Sequence, residues 1–501
     1  MQEKKSKTIV KTMASVSGIV VLAKVLGLLK QIIVADAFGA TLHTDIISIA
    51  EGLVANTDYL IVQALSTAFV PIYINCREEN KEQTNRFVSN TILLCFLITL
   101  LIGTVFFAAS PILSRILAPS YSADHSARLS FYIRCFAPAI IIIVELAVFN
   151  SLLKANEQFI PGELIGFNQS LILIALVLLI GQKVGPDTIV IGFYLYAIFN
   201  LVFLMVRSRK LWVFAGVHPL RDPNVRKMLV MMGPLLLGYS MVFVNQQVDK
   251  VIVSGLGEGS VTSMTYAAVL SNFVCTFIGS INAVLFTYTT QNIAEKKDQE
   301  AAELASHSVI QLVTLLIPIS LLTIFNASDI VRIVFGRGKF DSRAVEACAY
   351  ALSGYGAMFI PYVLREVFSR VQYAYGDSKT PMINSTIAIA VNIVLSIIMS
   401  RFFGVLGVTL ATSISVLVCG VLNIRSSVKK NHFLRTREVM LHLPRWLIGS
   451  AICIAIVLIG RKFLLDINVL IRFVVITFLS LAAFFAVNYS DIKMLLSKII
   501  H

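Results

Sequence analysis

The chain has 501 residues, of which 57% are hydrophobic and only 14% charged, with a mean hydropathy of +0.82. A soluble domain carries about 25% charged residues, so this composition excludes an ordinary soluble enzyme and indicates a polytopic membrane protein. The net charge of +14 then belongs to basic loops on one side of a membrane rather than to nucleic-acid binding.

Apolar runs of spanning length recur about fourteen times along the chain. They cover residues 14–35, 46–74, 87–110, 131–153, 159–181, 188–206 and 227–251, then 264–291, 304–325, 348–375, 381–402, 406–423, 443–461 and 469–487. The fold class this predicts is an all-α membrane protein of two six-helix lobes plus two C-terminal helices. The lobes are expected at residues 1–206 and 227–428, joined by a cytoplasmic linker at 207–226, with the last two helices and a tail at 429–501.

The first run breaks the apolar rule. Lys24 sits near its middle, with Lys30 and Gln31 further along. A lysine at the bilayer centre costs at least about 2.5–3.5 kcal/mol, so these side chains either face protein and water or snorkel to an interface. The first alternative makes a helix that lines a wet cavity and attracts an anion. The polar start of the chain, with Lys4, Lys5, Lys7 and Lys11, leads directly into this full-length span, so the first helix is expected to anchor rather than to be cleaved.

The second run is unusually polar for a membrane helix, with Glu51, Gly52, Asn56, Thr57 and Asp58. It reads as a broken or cavity-lining helix. The seventh carries Asn245 and Asp249 on one face and Gln246 and Lys250 on the adjacent one, four residues apart in each pair. A carboxylate with amide oxygens suits a sodium ion or a proton relay; the alternative places Asp249 and Lys250 idle at the outer interface. In the tenth, Glu366 and Arg370 have the spacing of an internal ion pair. Proline and glycine at Gly233-Pro234, Pro318 and Pro361 mark expected bends.

Orientation follows from lysine and arginine. With the N-terminus inside, about 25 basic residues fall in cytoplasmic loops and about 10 outside, and an even number of spans returns the C-terminus to the cytoplasm. One external loop dissents, with Arg332, Arg337, Lys339 and Arg343, which suggests an amphipathic segment or an anionic contact. No phosphate-binding loop, metallohydrolase motif, nucleophile elbow or paired-cysteine motif is present, so neither ATP hydrolysis nor catalysis has a candidate constellation. GLGEGS at residues 255–260 reads as a turn between spans.

A faint internal repeat recurs after about 220 residues, or six spans. FAASPILSRIL (107–117) parallels FNASDIVRIVF (325–335), KANEQFIP (154–161) parallels AYGDSKTP (374–381), and KQIIVADAFG (30–39) parallels DKVIVSGLGE (249–258). An even number of spans keeps the orientation, so the halves are expected to be parallel repeats about an axis normal to the membrane, with the substrate site expected between them. Chance similarity of apolar text is the competing explanation.

LGLLKQIIVADAFGATLHTD (26–45) followed by ALSTAFVPIY (64–73) resembles the opening of the MurJ/MviN lipid II flippases of the multidrug/oligosaccharidyl-lipid/polysaccharide exporter superfamily. The similarity continues through DKVIVSGLGEGSVTSMTYA, IVRIVFGRGKFD, RVQYAYGDSKTP and LGVTLATSIS, covering residues 11–423, with FGRGKF and GDSKTP its most specific parts. The resemblance implies two lobes around a cationic cavity, and two last helices that line a groove for a polyprenyl tail. It implies a flippase in the bacterial cytoplasmic membrane for an undecaprenyl-diphosphate-linked glycan lipid, with no ATP, nucleic acid or cofactor, driven by sodium or proton coupling.

The family's first-helix arginines fall on Lys24 and Lys30, and its loop aspartate on Asp45; Gln31, Asn56 and Thr57 complete the expected substrate site. Its second-helix arginine pair falls near Thr57 and Asp58, and its eighth-helix arginine near Val269, which removes three cations. The family's sodium site maps to Asp249, Asn392, Val408 and Thr412, with Ser396 at its second carboxylate position. A Wzx-like flippase of capsular or teichoic-type repeat units and a MATE-like cation-coupled drug exporter are the alternatives. A membrane-embedded glycosyltransferase would need a catalytic acidic or histidine cluster in a sizeable external loop, and no such cluster is visible.

Overall fold

A computed structural model describes residues 2–216, 218–429, 436–464 and 466–489; the tail from residue 490, expected at the cytoplasmic face, lies outside them. Among the described residues the regular structure is helical and no strand occurs, because a backbone surrounded by hydrocarbon must satisfy its own N–H and C=O groups. In order the helices are α1 (Gln2–Phe38), α2 (Leu42–Glu79), α3 (Lys81–Leu117), α4 (Ala123–Phe136), α5 (Ala139–Ala155), α6 (Ile160–Val184), α7 (Thr188–Ser208) and α8 (Pro223–Ser254). There follow α9 (Ser260–Ala294), α10 (Asp298–Phe325), α11 (Ala327–Val334), α12 (Ser342–Gly356), α13 (Phe359–Ala374), α14 (Lys379–Lys429), α15 (Thr436–Phe463) and α16 (Val469–Val487).

Eleven helical segments among the described residues are long and apolar enough to cross a membrane, or twelve when α12 and α13 count as one bent span. Two of these segments are too long to cross once. Ile160–Ser208 and Lys379–Lys429 contain 49 and 51 residues, about 75 Å of helix against a hydrocarbon core of about 30 Å. Each is a hairpin. The first turns at Gly185 (φ 73°, ψ −154°) and the second at Gly404 (φ 56°, ψ −134°), a backbone shape open only to glycine. The arms are stapled alike: Asn168 Nδ2 donates to Asn200 Oδ1 at 2.9 Å, and Asn384 Nδ2 to Asn423 Oδ1 at 2.8 Å. Counting each arm gives the fourteen spans.

The internal repeat is visible in these irregularities. The spans expected to be continuous at 131–153 and 348–375 are both broken, at Ala137–Pro138 and at Ala357–Met358. The connections KANEQFIP and AYGDSKTP each hold a positive-φ residue, Glu157 in one and Gly376 in the other, and each leads into the next helix near Pro161 or Pro381. Pro234 and Pro318, also expected to mark bends, lie inside α8 and α10 without breaking either helix. The second span, expected to be broken or cavity-lining, is unbroken from Leu42 to Glu79; the Thr57 and Thr67 hydroxyls bond back to their own helix and leave the backbone ladder intact.

Two compact units are formed, Met1–Thr262 with Gly338–Phe340 and Ser263–Arg337 with Asp341–His501. The first unit packs α1 on α6, α2 on α5 and α8, and α5 on α7. Its centre includes the stacked rings of Phe69, Tyr73 and Phe87, all fully buried. His43 of α2 and Tyr132 of α4, 2.6 Å apart, meet Asp187 in the turn before α7 and pin one end of this unit. The segment Gly338–Phe340 docks on the end of α1, where the Lys339 backbone N–H donates to the Asp36 carbonyl at 2.9 Å.

The second unit has its core where α10, α13 and the last helices meet, around Val313, Leu316, Val367, Phe368 and Phe484. Trp446 of α15 donates its indole N–H to Thr314 at 2.8 Å. The dissenting basic loop begins with the short α11, whose buried Asp329 pairs with Arg472 of α16. Arg337 donates to the Ile333 and Val334 carbonyls at the end of α11. Part of the loop's positive charge therefore serves to end a helix.

Candidate functional site

α1 packs along α6 and leaves Lys24 exposed, whereas Lys30 and Gln31 are half-buried. Lys30 interacts electrostatically with Glu51 of α2, and so does Lys250 of α8. Glu51 thus lies within electrostatic reach of two ammonium groups from two different helices.

Local geometry explains how Lys250 reaches α2. Its Nζ donates to the Ser48 carbonyl at 3.1 Å, and Gln247, three residues earlier on the same face, donates Nε2 to the Gly52 carbonyl at 3.3 Å. A Cβ on residue 52 would collide with the Lys250 ammonium, so Gly52 supplies the space in which that charge lies. Both donors use carbonyl lone pairs left over by the helical ladder, which satisfies polar groups that lipid could not.

Asp45 is engaged differently. It is 1% exposed; Oδ2 accepts from the Gly259 N–H and Oδ1 from the Thr262 N–H, each at 2.7 Å. These amides open α9, so the carboxylate caps a helix N-terminus, where unpaired N–H groups and the helix dipole both favour a negative charge. Asn56 and Thr57 are half-buried on α2, and the Thr57 hydroxyl donates to the Leu53 carbonyl at 2.8 Å. Asp58 is 3% exposed with neither oxygen hydrogen-bonded. Glu145 of α5 is a second buried carboxyl without a hydrogen bond, beside a cavity of about 330 Å³ lined by Phe96, Phe149, Leu201 and Met205.

The residues expected to hold sodium divide by unit. Asp249 is half-buried on α8. Asn392, Val408 and Thr412 all lie on the α14 hairpin; Asn392 accepts from Ser396 at 3.4 Å, and the Thr412 hydroxyl donates to the Val408 carbonyl at 3.2 Å. Asp249 is the one carboxylate of the set. Among the described residues no group of three or more histidine, cysteine, aspartate or glutamate side chains could hold a metal ion. Glu366 is neutralised by Arg365 at 2.8 Å and by the expected Arg370 at 3.9 Å, and Arg365 also lies over the Tyr362 ring.

The structure therefore places Lys30 and Lys250 each within electrostatic reach of Glu51, and leaves Lys24 on an exposed face. Lys250 was grouped by four-residue spacing with Gln246, but the face that meets α2 is set by the three-residue spacing of Gln247 and Lys250. Gly52 was the available signal, since a glycine amid bulky residues marks a close approach.

The family model for the lipid II flippase MurJ matches residues 34–484. A probable lipid II flippase MurJ of Vibrio cholerae serotype O1 is 26% identical over 472 residues, covering 89% of this chain and 88% of that protein. Another, of Rhizobium meliloti, is 24% identical over 468 residues, covering 89% of this chain and 86% of that protein. A solved lipid II flippase MurJ in an inward closed conformation superposes with a TM-score of 0.82 at 22% identity over 96% of this chain and all of that one. An inward-facing MATE transporter of the MOP superfamily follows at 0.64 and 16% identity, covering 82% and 96%. These are membrane transporters rather than enzymes, and this multi-pass chain belongs to the MurJ family among them.

Proposed function

We propose that this protein flips an undecaprenyl-diphosphate-linked saccharide, of which lipid II is the type, across the bacterial cytoplasmic membrane by alternating access. The observation that carries the reading is that this chain belongs to the MurJ family and brings two lysines of different helices, Lys30 and Lys250, within electrostatic reach of the Glu51 carboxyl. A buried charge left uncompensated is costly, so such a site favours an anion, and a diphosphate is one that a lipid carrier brings. Gln31, Asn56 and Thr57 supply hydrogen bonds for the headgroup. The exposed apolar faces of α15 and α16, including Leu447, Ile459, Leu470 and Phe478, receive the polyprenyl tail. Both termini lie in the cytoplasm. A sodium ion or a proton supplies coupling, with Asp249 the carboxylate that senses it, and no nucleotide is used.

Asp58 favours a second reading, because an unpartnered buried carboxyl suits a cationic drug in a MATE-like exporter. Proteoliposomes containing the full chain decide between them. Labelled lipid II should cross the bilayer, Lys30→Ala should abolish crossing, and mass spectrometry of the purified protein should show a co-purified polyprenyl diphosphate. Export of a lipophilic cation with no movement of labelled lipid would establish the drug exporter instead.

A further inference from the structure

Glu145 of α5 takes no part in the lysine-lined region. Both of its carboxyl oxygens are buried and accept no hydrogen bond among the described residues, and the side chain lines a cavity of about 330 Å³. Burying a carboxyl without a partner is costly, so the cavity lacks a group that would complete it. By the internal repeat, offset by about 220 residues, the equivalent position in the second half is Arg365, which is paired with Glu366 at 2.8 Å.

Three helices of the first unit and the connection after α7 build the walls. Each helix contributes two residues four apart, hence one face: Ile92 and Phe96, Glu145 and Phe149, Leu201 and Met205. Phe214 completes the lining from the connection, and the residues on either side of it are stitched to α3. The Val213 N–H donates to Asn85 Oδ1 and the Ala215 N–H to Ser89 Oγ, each at 3.0 Å. Three phenylalanine rings and one carboxyl thus line a single space. Phe96 and Met205 are 42% and 45% exposed, so the mouth lies on the apolar outer surface of the helices.

We propose that this cavity binds a small lipophilic amine, whose ammonium pairs with the Glu145 carboxylate and whose hydrocarbon part fills the space among Phe96, Phe149 and Phe214. Both features of the lining select the same chemistry. A carboxylate in apolar surroundings repels an anion and gains most from a cation, and aromatic faces attract a cation as well. A cavity of about 150 Å³ takes benzene, so this one takes a ligand of about a dozen non-hydrogen atoms, far smaller than a lipid-linked saccharide. The amine would touch α3, α5, α7 and the connection together.

The test uses the full chain in nanodiscs of zwitterionic lipid. Trp212 packs near Phe149, with ring centroids 6.3 Å apart, and the other tryptophan, Trp446, lies in the second unit. Trp446→Phe therefore leaves Trp212 as the sole reporter, and its fluorescence is titrated with phenylbutylamine, phenylbutanol and phenylbutyrate. The amine should give a saturable change and bind about tenfold or more tightly than the alcohol, the scale of one charge-assisted hydrogen bond, while the carboxylate should not bind. Glu145→Gln should weaken the amine about tenfold or more and keep the alcohol within about threefold; a merely structural role would move both alike. Leu201→Phe, which fills the cavity, should weaken both. The ranking of the three ligands on the wild type stands even where a variant fails to fold. Equal affinity for amine and alcohol would reduce the cavity to an apolar gap and overturn the proposal. A response to the amine that never saturates would be partition into the bilayer and would overturn it too. So would amine binding that survives Glu145→Gln and is lost with Asp58→Asn, which would place the cation at Asp58.

Discussion

Arg472 of α16 grips Asp329 of α11 at two points, Nε to Oδ2 at 3.1 Å and Nη2 to Oδ1 at 2.5 Å, with both side chains less than a tenth exposed. The parallel fork fixes the last helix to the end of α10–α11 with a geometry that lysine could not reproduce. Removing one partner strands a buried charge, so Arg472→Ala or Asp329→Ala should cost about 3–5 kcal/mol, while Arg472→Met with Asp329→Leu should recover most of it. The thermal midpoint of the detergent-purified protein measures this, and single variants that melt with the wild type would show the pair to be idle.

Asp45 illustrates a residue whose chemistry was legible and whose use was not. Its two oxygens already accept the Gly259 and Thr262 amides. Asp45→Ala should strand both buried N–H groups, at about 1–3 kcal/mol each, and lower the yield of folded protein. The undecaprenyl diphosphate affinity of the protein that survives should match the wild type. A normal melting profile with lost affinity would return Asp45 to the substrate site.

Ion coupling is tested by comparing two carboxylates. Glu366 is committed to Arg365 and Arg370, whereas Asp249 lies at the position where the family resemblance places a sodium ligand. Asp249→Asn should slow lipid flipping in proteoliposomes about tenfold and flatten its dependence on a sodium or proton gradient; Glu366→Gln should slow it less and keep the gradient dependence. Equal, small losses would place Asp249 at the interface with no part in coupling.

The spans, the hairpins and the repeat were readable because each follows from the chain's own geometry: run length against bilayer thickness, and a glycine where two helices reverse. Gly185 and Gly404, with the Asn168–Asn200 and Asn384–Asn423 staples, repeat that device in the two halves. Pro361 marked the bend that falls at Ala357–Met358, but the break at Ala137–Pro138 was not readable, since the apolar text runs straight through it. Nor was the partner of each intramembrane charge. Helical periodicity says which residues share a face, and tertiary packing decides what that face meets. Lys24, near the middle of its run, and Lys30, nearer its end, differ in sequence by depth alone, and packing separates them by exposure.

That separation yields the prediction that best divides a lipid flippase from a drug exporter. A cation about 4 Å from a phosphate charge contributes about 4 kcal/mol in a partly solvated protein site, and far less when it stands in water at a distance. Lys30 faces the internal charge cluster and Lys24 does not, so the two should differ in degree. Lys30→Ala should abolish flipping of a labelled lipid-linked saccharide. Lys24→Ala should reduce it by a factor that shrinks as salt is raised, because an exposed charge acts through a screened field, and Lys24→Arg should restore it. A neutral or cationic drug gains nothing from either lysine, and its export would be unchanged or improved by removing them. Unimpaired flipping by Lys24→Ala at low salt would mean that this lysine only snorkels to the interface; unimpaired flipping by Lys30→Ala would remove the diphosphate from α1 altogether.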